Sequence, residues 1–138
     1  MLSSEEEEQL KQACIQAKSN SYSPYSKFRV GASFLFSNGE IVKGANVENA
    51  SYPAGICAER SAITIAVNQG LLATESIKAV GVTSDTDNVV SPCGICRQTI
   101  REFANLDTPI YMWTSSGAVT VRTLEELLPL SFGPDNLA

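Results

Sequence analysis

The 138-residue sequence contains no histidine. That removes the side chain most used both as a metal ligand and as a proton carrier near neutral pH, so such chemistry here falls to thiols and carboxylates. Long apolar runs are also missing. The longest, Ala62 to Val67, is broken by Thr64 and falls far short of the roughly 20 residues that cross a bilayer. The opening MLSSEEEEQLK carries acids where a secretory signal needs a basic start and an apolar stretch, so the expected compartment is the cytoplasm. Clustered Lys and Arg are absent, the net charge is −5 and the sequence pI is about 4.7. Nucleic acid is therefore a poor partner, because phosphate neutralisation supplies most of its affinity, and a small uncharged substrate is expected. No repeat or low-complexity tract interrupts the chain, and its length suits one domain over residues 1–138.

Ser3 and Ser4 are each followed three residues later by Glu, and Leu10, Ala13, Cys14 and Ala17 then recur at helical spacing. This predicts a first amphipathic helix whose acids complement its dipole and whose Cys14 is a small core residue. Tyr22 to Lys27 is a loop. Phe28, Val30, Ala32, Phe34 and Phe36 alternate as in a strand, Asn38-Gly39 signals a hairpin, and a second strand runs from about Glu40 to Val47. A helix is expected from Cys57 to Gln69, closed by Gly70, then a buried strand from Ile77 to Thr83 and a second helix from Cys93 to about Asn105. Strands over Pro109 to Thr114 and Val119 to Arg122 follow, and Thr123 with Glu126 caps a short helix stopped by Pro129. Both interior helices connect strands, which implies an α/β fold: a mixed five-stranded sheet between helical layers, α/β/α.

The four cysteines, in a reducing compartment, are more readily metal ligands or reactive thiols than disulfides. Cys57, in AGICAER, and Cys93, in SPCGICRQ, fall at the starts of the two interior helices, and Cys96 lies one turn beyond Cys93. Those starts share one sheet edge in a βαβ arrangement, so three sulfurs can converge there. Helix N-termini favour thiolates, and three sulfurs with an open fourth position suit a catalytic zinc. Three thiolates leave the cluster about one charge negative, which the two helix dipoles and Arg60, as a donor to the sulfurs, would offset. Glu59 is too close in sequence to Cys57 to share a ligand role with it. It can instead lean over the open position as a general acid/base.

With these residues assembled the chain resembles the small, three-cysteine cytidine deaminases. The resemblance extends over FRVGA (Phe28 to Ala32), NVENASYPAGICAER (Asn46 to Arg60), SPCGICRQ (Ser91 to Gln98) and LLPLSF (Leu127 to Phe132). It implies one zinc per subunit held by Cys57, Cys93 and Cys96, with Glu59 moving protons while cytidine or deoxycytidine is hydrolysed to uridine or deoxyuridine and ammonia. It further implies ribose contacts from Asn46 and Glu48, packing of Phe28 on the pyrimidine, and base-edge contacts from the backbone of Ala58 and Ser91. Phe132 would act across a subunit interface of a homotetramer, and Tyr52 would line the interface or the site. The role implied is pyrimidine salvage. Three alternatives stay open at this point: a closed four-cysteine zinc module using Cys14, thiol redox chemistry at Cys93 and Cys96, and a deaminase acting on an aminonucleoside antibiotic or an RNA cytosine.

Overall fold

Ser3 caps the first helix, α1 (Ser4–Lys18), in the computed structural model, which describes residues 1–138. Its hydroxyl accepts from the Glu6 amide while the Glu6 carboxylate accepts from the Ser3 amide, so two otherwise orphaned donors are satisfied together. The order continues β1 (Val30–Phe36), β2 (Ile41–Ala45), α2 (Ala58–Asn68), β3 (Ile77–Ser84), α3 (Gly94–Phe103), β4 (Pro109–Trp113), β5 (Val119–Thr123) and α4 (Leu124–Leu127). The strands form one sheet in the order β2-β1-β3-β4-β5, with β3 and β4 parallel and the other neighbours antiparallel. This is the mixed five-stranded sheet that the sequence predicts.

Helices cover both faces. On one side α2 and α3 bury Phe34, Phe36, Val80, Val82, Ile110 and Met112. On the other, α1 packs Leu10 and Cys14 against Leu35, Ala79, Tyr111 and Trp113. The helices approach so closely that a Cβ on Gly31 would run into the Cys14 carbonyl, and one on Gly44 would lie 2.6 Å from the Ala62 nitrogen. Six of the seven β1 residues are consequently buried, so the strand is covered on both faces although its aromatics lie on one.

Two strands are shorter than their patterns suggest, for the same reason. Phe28 gives its amide to the Ser26 hydroxyl and its carbonyl to the Asn46 amide group, which takes it out of the ladder, and β1 begins at Val30. Beyond Ala45 the chain pairs elsewhere: Val47 bridges both Tyr22 and Ile56. At the other end α4 stops at Leu127, two residues short of Pro129, because the residue before a proline is pushed out of helical geometry, and Leu128 has φ −140 and ψ 68.

Because β1 is antiparallel to both β2 and β3, those two strands run the same way and end at one edge. α2 follows β2 and α3 follows β3, so both helices start at that edge.

Candidate metal centre and adjoining hollow

Cys57 and Cys93 are the N-cap residues of α2 and α3, both in extended geometry (ψ 158 and 169), and Cys96 is in the first turn of α3. The Val47–Ile56 bridge carries the chain from β2 back to the sheet edge just before Cys57. The three sulfurs lie within 4.8 Å of one another, and Cys57 and Cys93 are 3.9 Å apart. Tetrahedral zinc with sulfur bonds of ~2.3 Å needs sulfurs about 3.8 Å apart, so the spacing and the donor type both fit that ion. Cys14 is no part of this group. It lies in the core on the other side of the sheet, which removes the closed four-cysteine alternative.

Arg60, one turn into α2, donates from Nη2 to the Cys57 sulfur at 3.4 Å, as the charge argument anticipated. Its Nε is buried without a partner. The Cys57 thiol is lowered to about 5, first by a hydrogen bond from Cys96 and then, against burial, by Arg60. Cys96 is displaced upward by that same shared proton and by its burial, while Arg60 is raised by Cys57 and Cys96. The Arg60 guanidinium at the Cys57 sulfur favours the thiolate form that a metal ion would need.

Glu59 is 4% exposed, and burial pushes its carboxyl up to about 7. The charge of Cys57 adds to the rise; the amide at the helix start and Arg60 oppose it. A carboxyl poised there can hold and release a proton near neutral pH.

A hollow of about 440 Å³ opens beside this cluster, and it gathers eight of the predicted residues: Phe28, Asn46, Glu48, Ala58, Ser91, Glu59, Cys57 and Cys93. A second hollow, about 490 Å³, adjoins it through Ser26, Asn46, Glu48 and Cys57 and holds Tyr52 and Arg60. Tyr52 is largely exposed there, its ring 6.1 Å from that of Tyr25. Phe132 lines neither hollow. Its ring is exposed on the C-terminal stretch, where its carbonyl accepts from Gln98.

Asn46 and Glu48 also have duties that their sequence pattern does not reveal. The Asn46 oxygen accepts from the Ser21 hydroxyl and the Val30 amide, and its nitrogen donates to the Phe28 carbonyl at 2.8 Å. Its acceptor capacity is spent, leaving one N–H free. Glu48 accepts from the amides of Tyr25 and Ser26 and from the Ser26 hydroxyl, bonds that hold its carboxyl below the usual range and ionised. Together these two side chains clamp the 21–28 loop that presents Phe28. Ser26, Val30 and Val90 also line the first hollow and were not anticipated. Ser26 had a signal, two residues ahead of Phe28 in a serine-rich loop, whereas Val90 had none.

Comparison with known proteins bears on this site directly. The family model described as the cytidine and deoxycytidylate deaminase zinc-binding region matches residues 4–112. A cytidine deaminase of Sporosarcina psychrophila is 43% identical over 123 residues, covering 89% of this chain and 88% of the relative. One of Halalkalibacterium halodurans is 41% identical over 123 residues, covering 89% and 91%. The crystal structure of cytidine deaminase from Burkholderia pseudomallei superposes with a TM-score of 0.84 at 35% identity, covering 91% of this chain and 98% of that one.

Proposed function

Because the chain belongs to the cytidine and deoxycytidylate deaminase family, we propose that it hydrolyses the free nucleosides cytidine and deoxycytidine to uridine and deoxyuridine, releasing ammonia. The observation that carries this reading is three sulfurs meeting beside one buried carboxyl at the wall of a nucleoside-sized hollow. Cys57, Cys93 and Cys96 would hold one zinc per subunit, and such an ion supplies, when bound, Lewis acidity toward water. Glu59 would take one proton from the water and pass it to the ring nitrogen, then take the second from the added hydroxyl and pass it to the departing amino group, so that water adds, ammonia leaves and both protons of the water are accounted for. Phe28 packs on the pyrimidine face. The Ala58 amide, without an intrahelical partner at the first position of α2, and the backbone of Ser91 hold the base edge. The remaining N–H of Asn46 donates to a ribose hydroxyl and ionised Glu48 accepts from one.

Preference for a nucleoside over its 5′-phosphate follows from charge. Among the residues lining the two hollows Arg60 is the one cation, and it is engaged by Cys57, whereas Glu48 is anionic and would repel phosphate. The same reading makes residues 1–138 one catalytic domain, active in the cytoplasm in pyrimidine salvage. The exposed Phe132, Tyr52 and Leu130 support assembly of subunits, a homotetramer by likeness to the family, with Phe132 acting across an interface. No helix is long and apolar enough to cross a membrane.

The test is an absorbance assay of purified, zinc-analysed protein with cytidine, deoxycytidine and cytidine monophosphate. Turnover of both nucleosides, with the monophosphate at least tenfold poorer and about one zinc per chain, is the expected result. Zinc-loaded protein inert toward cytidine, or preferring the monophosphate, would overturn the proposal.

A further inference from the structure

Arg97 follows Cys96 directly and makes three hydrogen bonds to three different acceptors. Nε donates to the Pro92 carbonyl at 2.6 Å, Nη1 to the Leu127 carbonyl at 2.6 Å and Nη2 to the Ser91 hydroxyl at 2.8 Å. None of these acceptors is a carboxylate, so this half-buried guanidinium does not serve a surface ion pair. Its targets belong to two stretches distant in sequence. Ser91 and Pro92 lead straight into Cys93, and Ser91 lines the hollow that contains Glu59. Leu127 is the last residue of α4.

Neighbouring residues of α3 extend the attachment. Gln98 donates to the Phe132 carbonyl at 2.9 Å, and buried Arg101 reaches the Ser131 hydroxyl at 2.8 Å and the Asp135 carboxylate at 2.6 Å. Gly133 lies so close over the Arg101 guanidinium that a Cβ there would collide with it. Residues 97, 98 and 101 thus fasten the C-terminal stretch to the helix whose start carries two of the three sulfurs.

We propose that Arg97 is a positioning residue: its fork joins the Ser91–Pro92 wall of the hollow to the end of α4, making base-edge geometry depend on the C-terminal stretch. The three acceptors are met by three different nitrogens of one rigid fork, whereas a lysine has a single nitrogen on a flexible stem and cannot hold all three in that arrangement. The wall would then be free to shift relative to Glu59. A looser wall weakens substrate in ground and transition states alike, which raises KM more than it lowers kcat.

This inference rests on the deaminase reading for its substrate, and the test separates the two. Arg97→Lys, Ser91→Ala and the double variant are compared with the parent on cytidine, with zinc content measured and amide hydrogen exchange followed by mass spectrometry. For Arg97→Lys, KM should rise about tenfold with kcat changed less than about threefold and zinc retained. Ser91→Ala should raise KM by a smaller factor, and the double variant should be no worse than Arg97→Lys, because both changes break one connection. Exchange should quicken together in residues 85–96 and 127–133, a readout that needs no substrate. An unchanged KM, additive effects, or quickening in one segment alone would overturn the proposal. Should Arg97→Lys fail to fold, an unchanged KM in Ser91→Ala overturns it. A parent protein inert toward cytidine removes the substrate reading, and the exchange result still decides the role of Arg97.

Discussion

Cys14 and Cys57 are the same side chain, each held by a helix packed on the same sheet, and they behave in opposite ways. Cys14 lies in the interior of α1, with no exposed surface, and its sulfur donates to the Lys11 carbonyl one turn back at 3.2 Å. Burial pushes its thiol up to about 12. Cys57 is half-buried at the start of α2, and its thiol is lowered to about 5 although burial acts on it in the same sense. The difference lies in what each sulfur faces. The mid-helix sulfur of Cys14 meets a carbonyl and apolar side chains, and the hydroxyl of Ser33 that faces it does not offset its burial. The sulfur of Cys57, at the positive end of a helix, meets a second thiol and a guanidinium. Location relative to the helix end, and not residue type, separates a core filler from a thiol able to hold a metal ion.

The largest effect should come from exchanging the sulfur of Cys57 for oxygen. A serine hydroxyl does not ionise near neutral pH and cannot replace a thiolate, so Cys57→Ser should lose zinc by more than the roughly 10- to 100-fold that removing an outer partner of a metal site costs. Activity should fall with it. Retained zinc, measured by elemental analysis after dialysis against a mild chelator, would mean that the three-sulfur group is not the metal site. Glu59→Gln should separate metal binding from chemistry. The amide has the size of the carboxyl but cannot carry its proton, so turnover should drop at least ~10²-fold while zinc content and melting temperature hold. Near-normal turnover would place the proton relay elsewhere.

The contrast between the two thiols was legible in the sequence because it depends on helix ends, and those are marked by short-range signals. Pro92 opens α3, Gly55 precedes Cys57, and the apolar periodicity of α1 places Cys14 on its buried face. The sheet was legible too, from alternation and the Asn38-Gly39 turn, and the five strands emerged with β1 two and β2 three residues shorter than their patterns. What escaped was the set of bonds between segments distant in sequence. That the Asn46 side chain captures the Phe28 carbonyl, cutting β1 short and spending its own acceptor, is a tertiary fact with no local trace. The fastening of α3 to the C-terminal stretch is of the same kind. Arg97, Gln98 and Arg101 look in sequence like an ordinary polar helix face, and only their acceptors reveal the connection.

Arg60 tests whether the positive surroundings of Cys57 matter beyond the helix start. Arg60→Ala removes the donor to the Cys57 sulfur but leaves the three ligands and both helix starts intact. The charge left on three thiolates is then less compensated. Zinc should be released to a competing chelator about 10-fold more readily, with activity at saturating zinc reduced by a smaller factor. If zinc retention and rate are both unchanged, the amides at the two helix starts carry the compensation without help from the guanidinium.

The smallest effect should come from applying to Cys14 the substitution that disables Cys57. In Cys14→Ser the new hydroxyl inherits the hydrogen bond to the Lys11 carbonyl, so it is buried but not orphaned. It is smaller and more polar than the thiol among Leu10, Leu35, Ala79, Tyr111 and Trp113, and the loss of that packing should cost about 1 kcal/mol, a fall of roughly 4 °C in melting temperature. Zinc content and KM should match the parent, since the sheet separates this core from the sulfur group. A drop in zinc content would show that the two layers are coupled through the close contact of α1 with Gly31 on β1, and that the position of Cys14 matters to the site after all.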